Sequence, residues 1–211
     1  LQTGAVIITG ETARKHNANT VLASLSSMAG DFVVATAGPD LESVLSAKGA
    51  GADAFSEEHR QAVANIDIGG NIALFQKGKL KGTSCLDIGG RLIKIENGRI
   101  SYIFPKIQKL AEAHGIHIAV GDRAEETVLY KICEYMADQL AMAIHAREAD
   151  SLHAGLYTND GKPLTSEPKI DAITYSGGVA SCYYNGEPAN VFEYGDVGVL
   201  LARAVKNNAA L

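Results

Sequence analysis

Apolar residues in this chain fall in runs whose spacing changes along its length, and those changes predict the order of elements. Over positions 4–50 the short runs "AVIIT" and "DFVVATA" alternate with two stretches of helical character, 11–29 and "PDLESVLSAKG". Strand, helix, strand, helix is the order that builds a parallel sheet. Pro39 suits the first turn of the second helix, Leu41, Val44 and Leu45 repeat at helical spacing, and the glycines at 49 and 51 end it. The next stretch, "SAKGAGADA", is rich in small residues. It suits either a close approach of helices or lobes, or a flexible linker.

From position 62 to 90 the period shortens to two. "AVANIDI", "NIALFQ" and "LKGTSCLDI" are separated by Gly69-Gly70 and by Lys77-Gly78-Lys79, which predicts an antiparallel meander. Asn97-Gly98 marks a two-residue hairpin inside "RLIKIENGRISYIF", and Pro105 opens a helix that runs to about His114. The longest helix is expected over 122–146, with Asp122 and Glu125 as a capping box and Val128, Leu129, Ile132, Met136, Leu140 and Ile144 as one apolar stripe. It would be about 37 Å long, enough to back a whole sheet. "SLHAGLYTNDGKPLTSEP" is rich in turn formers and is expected to be a surface loop. A strand "DAITY", a Ser176-Gly177-Gly178 turn into a helix and a last helix, "DVGVLLARAVKN", complete the order.

Composition adds exclusions. With 211 residues, 46% hydrophobic and 20% charged, the chain can bury a real core as one large domain or two lobes. A formal net charge of −5 with no run of like charges argues against a nucleic-acid footprint or an anionic-membrane surface. No apolar run approaches the roughly 20 residues that span a bilayer, and "LQTGAVIITGETARKHN" has neither a basic start nor a cleavage site. A cytoplasmic location is therefore expected. The first residue is Leu and leads almost at once into an apolar run, so a further segment is expected to precede it. Cys85, Cys133 and Cys182 form no close pair and suit reduced packing residues. His114 and His117 straddle Gly115 at a helix end, where a surface turn is expected rather than a metal.

The candidate chemistry lies in glycine pairs. The tetrad Asp-Ile-Gly-Gly occurs twice, at 67–70 and 87–90. A glycine hairpin exposes unhindered backbone N–H groups that can cradle an oxyanion, and an aspartate at the strand end can hold a cation through its water shell. Asp67 with Gly69 and Gly70 fits that role, although a plain turn has the same residues. The second copy closes the meander and reads as a structural bend. Ser176-Gly177-Gly178, between an apolar strand and a helix, could face a nucleotide through the helix N-terminus.

The order of these elements resembles the second half of the actin-like ATPase superfamily. "NIDIGG" then matches its phosphate-2 motif, "ITYSGGVASCY" its adenosine motif, and "GPDLESVLSAKGAGA" and "GDVGVLLARAV" the connecting helices on which two lobes close. "TGETARKHNA", "DFVVATAGPDLESVLSAKGAGA", "NIDIGG", "CLDIGGRL" and "ITYSGGV" together resemble the ethanolamine ammonia-lyase reactivating factors over nearly the whole chain. The resemblance implies an α/β actin-like (ribonuclease H-like) fold of mixed sheets flanked by helices. Residues 1–61 would be the end of a first lobe with its connecting helix, and 62–211 the second lobe.

It further implies a slow ATPase acting as a molecular chaperone, which uses ATP and Mg2+ to release damaged cobalamin from an adenosylcobalamin-dependent ethanolamine ammonia-lyase. Nucleotide and that lyase are the implied partners, self-association is compatible with it, and the ethanolamine microcompartment is the implied neighbourhood. Asp67 would bind the magnesium water shell. Gly69, Gly70 and Asn71 would grip phosphate, and Ser176, Gly177 and Gly178 would line the adenosine pocket. Glu11, with Thr9 and Thr12, would stand near the terminal phosphate and attacking water; a helix N-cap cluster is the other reading of those three. Arg14 and Lys15 suit a solvated helix face.

Two departures from the family pattern stand out. The phosphate-1 hairpin is absent, and the phosphate-2 loop, normally Asp-x-Gly-Gly-Gly-Thr, passes here from Gly70 straight to Asn71. Residues lost from the loop are the expectation, a crippled site the alternative. Two other functions remain: a small-molecule kinase on the same fold, and a non-catalytic scaffold.

Overall fold

The computed structural model describes residues 4–8, 32–36, 38–158, 162–165 and 167–211, with the isolated helical positions 20 and 24. Strands β1 (Gly4–Ile8) and β2 (Phe32–Thr36) pair in parallel, as the opening alternation predicts. Helix α1 (Pro39–Gly49) follows, with Pro39 in its first turn. The small-residue stretch is not a linker. Gly51, left-handed at φ 74°, turns the chain directly into a second helix, α2 (Ala52–His59).

The central sheet is the predicted meander extended by a distant strand. β3 (Ala62–Asp67), β4 (Asn71–Gln76) and β5 (Lys79–Cys85) pair antiparallel, and β8 (Ala172–Ser176) pairs parallel to β3, giving the order β5-β4-β3-β8. The Lys77-Gly78 turn has both φ angles positive, 51° and 74°, as a two-residue hairpin requires. One face of the sheet packs Val63, Ala73 and Phe75 under Ala47 and Ala52 of α1 and α2. The small alanines are what let these helices lie so close. The other face, with Ala64, Ile66, Ile72 and Leu74, enters the main core.

That core is closed by β6 (Ile93–Glu96) and β7 (Arg99–Ile103), joined through Asn97-Gly98 at φ 52° and 72°, by α3 (Pro105–Ala113), and by α4 (Glu126–Ala143). Leu129, Ile132, Met136 and Leu140 of the predicted stripe are all buried. The helix is shorter than expected, 18 residues and so about 27 Å. The reason lies at its start: Asp122 accepts a hydrogen bond from the Ala119 N–H at 2.7 Å, and so caps a preceding turn instead of the helix.

The expected surface loop is anchored. A short helix, α5 (His153–Leu156), buries His153, which contacts Gln139 of α4 at 2.8 Å through Nδ1 and the Tyr157 hydroxyl at 2.9 Å through Nε2. Burial holds this imidazole below the ordinary histidine range, against the pull of Asp150. The chain ends with α6 (Gly178–Asn185) and α7 (Gly198–Asn207), packed against each other, α7 also along α4. The architecture is α/β, mixed sheets flanked by helices. All three cysteines are buried and none is in a disulfide. His114 stacks on Tyr135 at 3.6 Å, and no metal-binding cluster occurs among the described residues. Nor is any described helix long and apolar enough to cross a membrane.

Candidate functional site

Parallel pairing decides where the candidate residues go. In β3 and β8 Asp67 stands opposite Ser176, so both strands end side by side and both glycine turns leave from the same edge. The Asp67 carboxylate accepts the Gly69 N–H at 3.1 Å within its own turn. On its other side lies Gly177, at φ 86°. A methyl group there would collide with Asp67 Oδ1 and stand 2.9 Å from its carboxyl carbon. Glycine is required on both counts, by the backbone angle and by the carboxylate it touches.

The contact chain continues around a cavity of about 990 Å³. A methyl group at Gly89 would reach the Gly69 α-carbon at 3.5 Å, and one at Gly90 the Gly198 α-carbon at 2.5 Å. Gly198 in turn faces Val179, the second residue of α6. Gly69, Gly89, Gly90, Gly178 and Gly198, from four turns, thus line one concavity together with Asp67. Segment 195–197 is held in the ring by backbone bonds, Ile95 N–H to Gly195 at 2.8 Å and Val197 N–H to Gly90 at 3.2 Å. This sets the buried Asp196 in the wall, where Oδ1 accepts the Gly198 N–H at 2.7 Å and Oδ2 lies 3.7 Å from Arg91 Nε.

Of the residues expected in the site, the cavity wall includes Asp67, Gly69 and Gly178, with Gly177 packed behind Asp67. Gly70 instead closes the turn, its N–H bonded to the Asp67 carbonyl at 2.9 Å, and it lies against the Leu86 and Ile88 carbonyls. No loop intervenes before β4: Asn71 is already the first strand residue, paired with Cys85 and buried, outside the wall. Ser176 is turned into the sheet, where its hydroxyl accepts from Asn65 Nδ2 at 2.9 Å. Thr9, Glu11 and Thr12 lie outside the described residues.

The second tetrad is divided in its roles. Asp87 is structural, as the sequence suggests, paired with Lys106 at 2.7 Å. Gly89 and Gly90 are not merely a bend, because the turn delivers them to the cavity with Arg91. Sequence reasoning passed over these and Asp196. The available signals were the repeat itself and an aspartate two residues before the glycine that opens the last helix.

Electrostatically the wall holds two carboxylates, Asp67 and Asp196, and two cations, Arg91 and Lys94, the latter 5.5 Å above the Tyr102 ring. Burial raises the Asp67 carboxyl above its ordinary value; the Gly69 N–H opposes this, and the charge of Glu42 adds to it. A desolvated carboxylate gains from a nearby cation, and bare glycine backbone accommodates phosphate oxygens. Tyr102 and Tyr194, both exposed, also line the wall. The donor set therefore fits a nucleotide with a divalent cation.

Comparison with known proteins agrees on family. The family model described as ethanolamine utilisation protein EutA matches residues 1–211. Two curated proteins named ethanolamine ammonia-lyase reactivase EutA are each 39% identical over all of this chain, one from Salmonella typhimurium strain LT2 and one from Escherichia coli strain K12. The chain spans 45% of the length of each. Among solved structures it is similar to the Aquifex aeolicus Ppx/GppA phosphatase, type II variant, at 19% identity and TM-score 0.42 over 87% of this chain and 48% of that one. It is also similar to the Aquifex aeolicus PPX-GPPA enzyme, at 16% and 0.48 over 95% and 64%. With the family model matched from end to end, this chain belongs to the EutA family of ethanolamine utilisation proteins.

Proposed function

We propose that the glycine-ringed cavity holds the nucleotide of an ATP-dependent reactivase whose client is adenosylcobalamin-dependent ethanolamine ammonia-lyase. The observation that carries this is the contact of Gly177 with the Asp67 carboxylate, which joins a strand-hairpin turn and a strand-helix turn at one point. Relatives 39% identical carry the reactivase name, and the activity belongs to the whole protein, of which this chain is comparable to less than half.

Asp67 would hold magnesium through its water shell, Gly69 and Gly178 would face phosphate and adenosine, and Gly177 keeps the carboxylate in place. Bound ATP and magnesium would supply the charge and the hydrolytic driving force. Thr9, Glu11 and Thr12, on a first lobe ending near residue 61, would face the terminal phosphate; residues 62–211 form the second lobe. The setting is cytoplasmic, beside the ethanolamine microcompartment, and self-association is compatible with it. Release of damaged cobalamin requires that two lobe arrangements bind the lyase with different affinity.

The test uses the full-length protein with lyase inactivated by cyanocobalamin, supplied with fresh adenosylcobalamin. Activity should return with Mg-ATP and not without it. Equal recovery in both arms, or none in either, overturns the proposal. Stoichiometric phosphoryl transfer to a sugar or short acid would establish the kinase instead.

A further inference from the structure

The first tetrad passes from Gly70 straight into β4 at Asn71, and its turn contributes only residues 67–69 to the cavity wall. The second tetrad lies directly against it. Gly89 meets Gly69, Gly90 meets Gly198, and the next residue, Arg91, stands in the wall with 82% of its side chain exposed. It pairs with Asp196, whose carboxylate is buried and already bonded to the Gly198 N–H. At 3.7 Å the Arg91 contact is an ion pair too long for a hydrogen bond, so the guanidinium is held near the cavity with its donors not consumed by Asp196.

Resting on the nucleotide reading, we propose that the second Asp-Ile-Gly-Gly turn completes the anion grip that the short first turn leaves incomplete. Arg91 pairs with a phosphate oxygen of a bound nucleoside polyphosphate, and Asp196 aims it. The chemistry favours this assignment: a guanidinium presents a planar fork that matches phosphate, whereas Lys94 is engaged over Tyr102. The two carboxylates of the wall also demand a cation besides magnesium if a polyphosphate is to enter.

The experiment is calorimetric titration of the full-length protein and its Arg91→Gln variant with Mg-ATP, Mg-ADP and adenosine. Arg91 is exposed, so the variant should melt as the native protein does. Loss of a charge-assisted contact should weaken Mg-ATP roughly 10- to 100-fold and leave adenosine within about twofold. Arg91→Lys should recover part of the loss. Mg-ATP affinity unchanged in Arg91→Gln overturns the assignment of Arg91 and leaves the cavity reading standing. Equal weakening of ATP and adenosine would show a merely structural role and overturns it too. Failure of the native protein to bind Mg-ATP removes both.

Discussion

Replacing Asp67 by alanine in the full-length protein should reduce Mg-ATP affinity by at least about a hundredfold and abolish nucleotide-dependent rescue of the lyase. The carboxylate sits where two turns meet and is partly stripped of water. The conservative variant gives a sharper reading. Asp67→Asn keeps an acceptor for the Gly69 N–H and removes only the charge. Because burial raises this carboxyl, the folded state disfavours its ionised form at neutral pH.

The sign of the pH effect follows directly. A raised carboxyl binds more protons folded than unfolded, so its ionisation costs stability as pH rises through the folded pKa. Asp67→Asn should therefore melt at a higher temperature than the native protein at neutral pH, and the advantage should vanish below the ordinary carboxylate range. Stability gained with binding lost marks a functional group held at a cost to the fold. An Asp67→Asn variant that melts lower at neutral pH and binds Mg-ATP normally would make Asp67 a structural residue.

Gly70→Ala should be the most damaging single methyl group in the hairpin. At φ 105° its added carbon would strike the Leu86 carbonyl oxygen and stand 2.9 Å from that of Ile88. Both obstacles are backbone, part of the segment that carries Leu86 and Ile88 into the core, and cannot swing aside. A loss of about 3–5 kcal/mol is expected. Gly98→Ala is the control: φ is also positive, 72°, but the space is open, and only about 1–2 kcal/mol should be lost. Chemical denaturation of both variants checks the pair, and equal losses would mean that backbone angle alone, not collision, sets the cost at residue 70.

What the sequence disclosed followed from local physics. The meander and its turns were legible because period-two alternation and the Lys77-Gly78 and Asn97-Gly98 pairs act over a few residues. Helix α2 was hidden because "GAGADA" carries the composition of a linker, and its helical state comes from packing Ala52 beside Val63 and Phe75. The anchoring of the 151–158 segment was hidden too, since it depends on His153 meeting Gln139 across a fold.

In the site, Asp67, Gly69, Gly177 and Gly178 could be named from turn chemistry, and the family resemblance supplied the idea that they meet. Their meeting depends on β8 aligning parallel to β3, as Asn65 and Ser176 show, 111 residues apart and hydrogen-bonded. Gly89, Gly90 and Asp196 could not be placed without that geometry. Their turn looks like a bend until Gly198 and Gly69 are seen on either side. Conversely, Asn71 and Ser176 belonged to the right motifs but lie outside the cavity wall, Asn71 buried in β4 and Ser176 bonded to Asn65. Motif membership gives a position in the chain, and strand pairing decides which side chains reach the cavity.

The most direct test is amide hydrogen exchange of the full-length protein with and without Mg-ATP. If one nucleotide lies across the ring of glycines, exchange should slow together in residues 67–70, 88–91 and 177–180, and to the same extent at each nucleotide concentration. Protection confined to one of these turns, or appearing only elsewhere, would contradict a shared site.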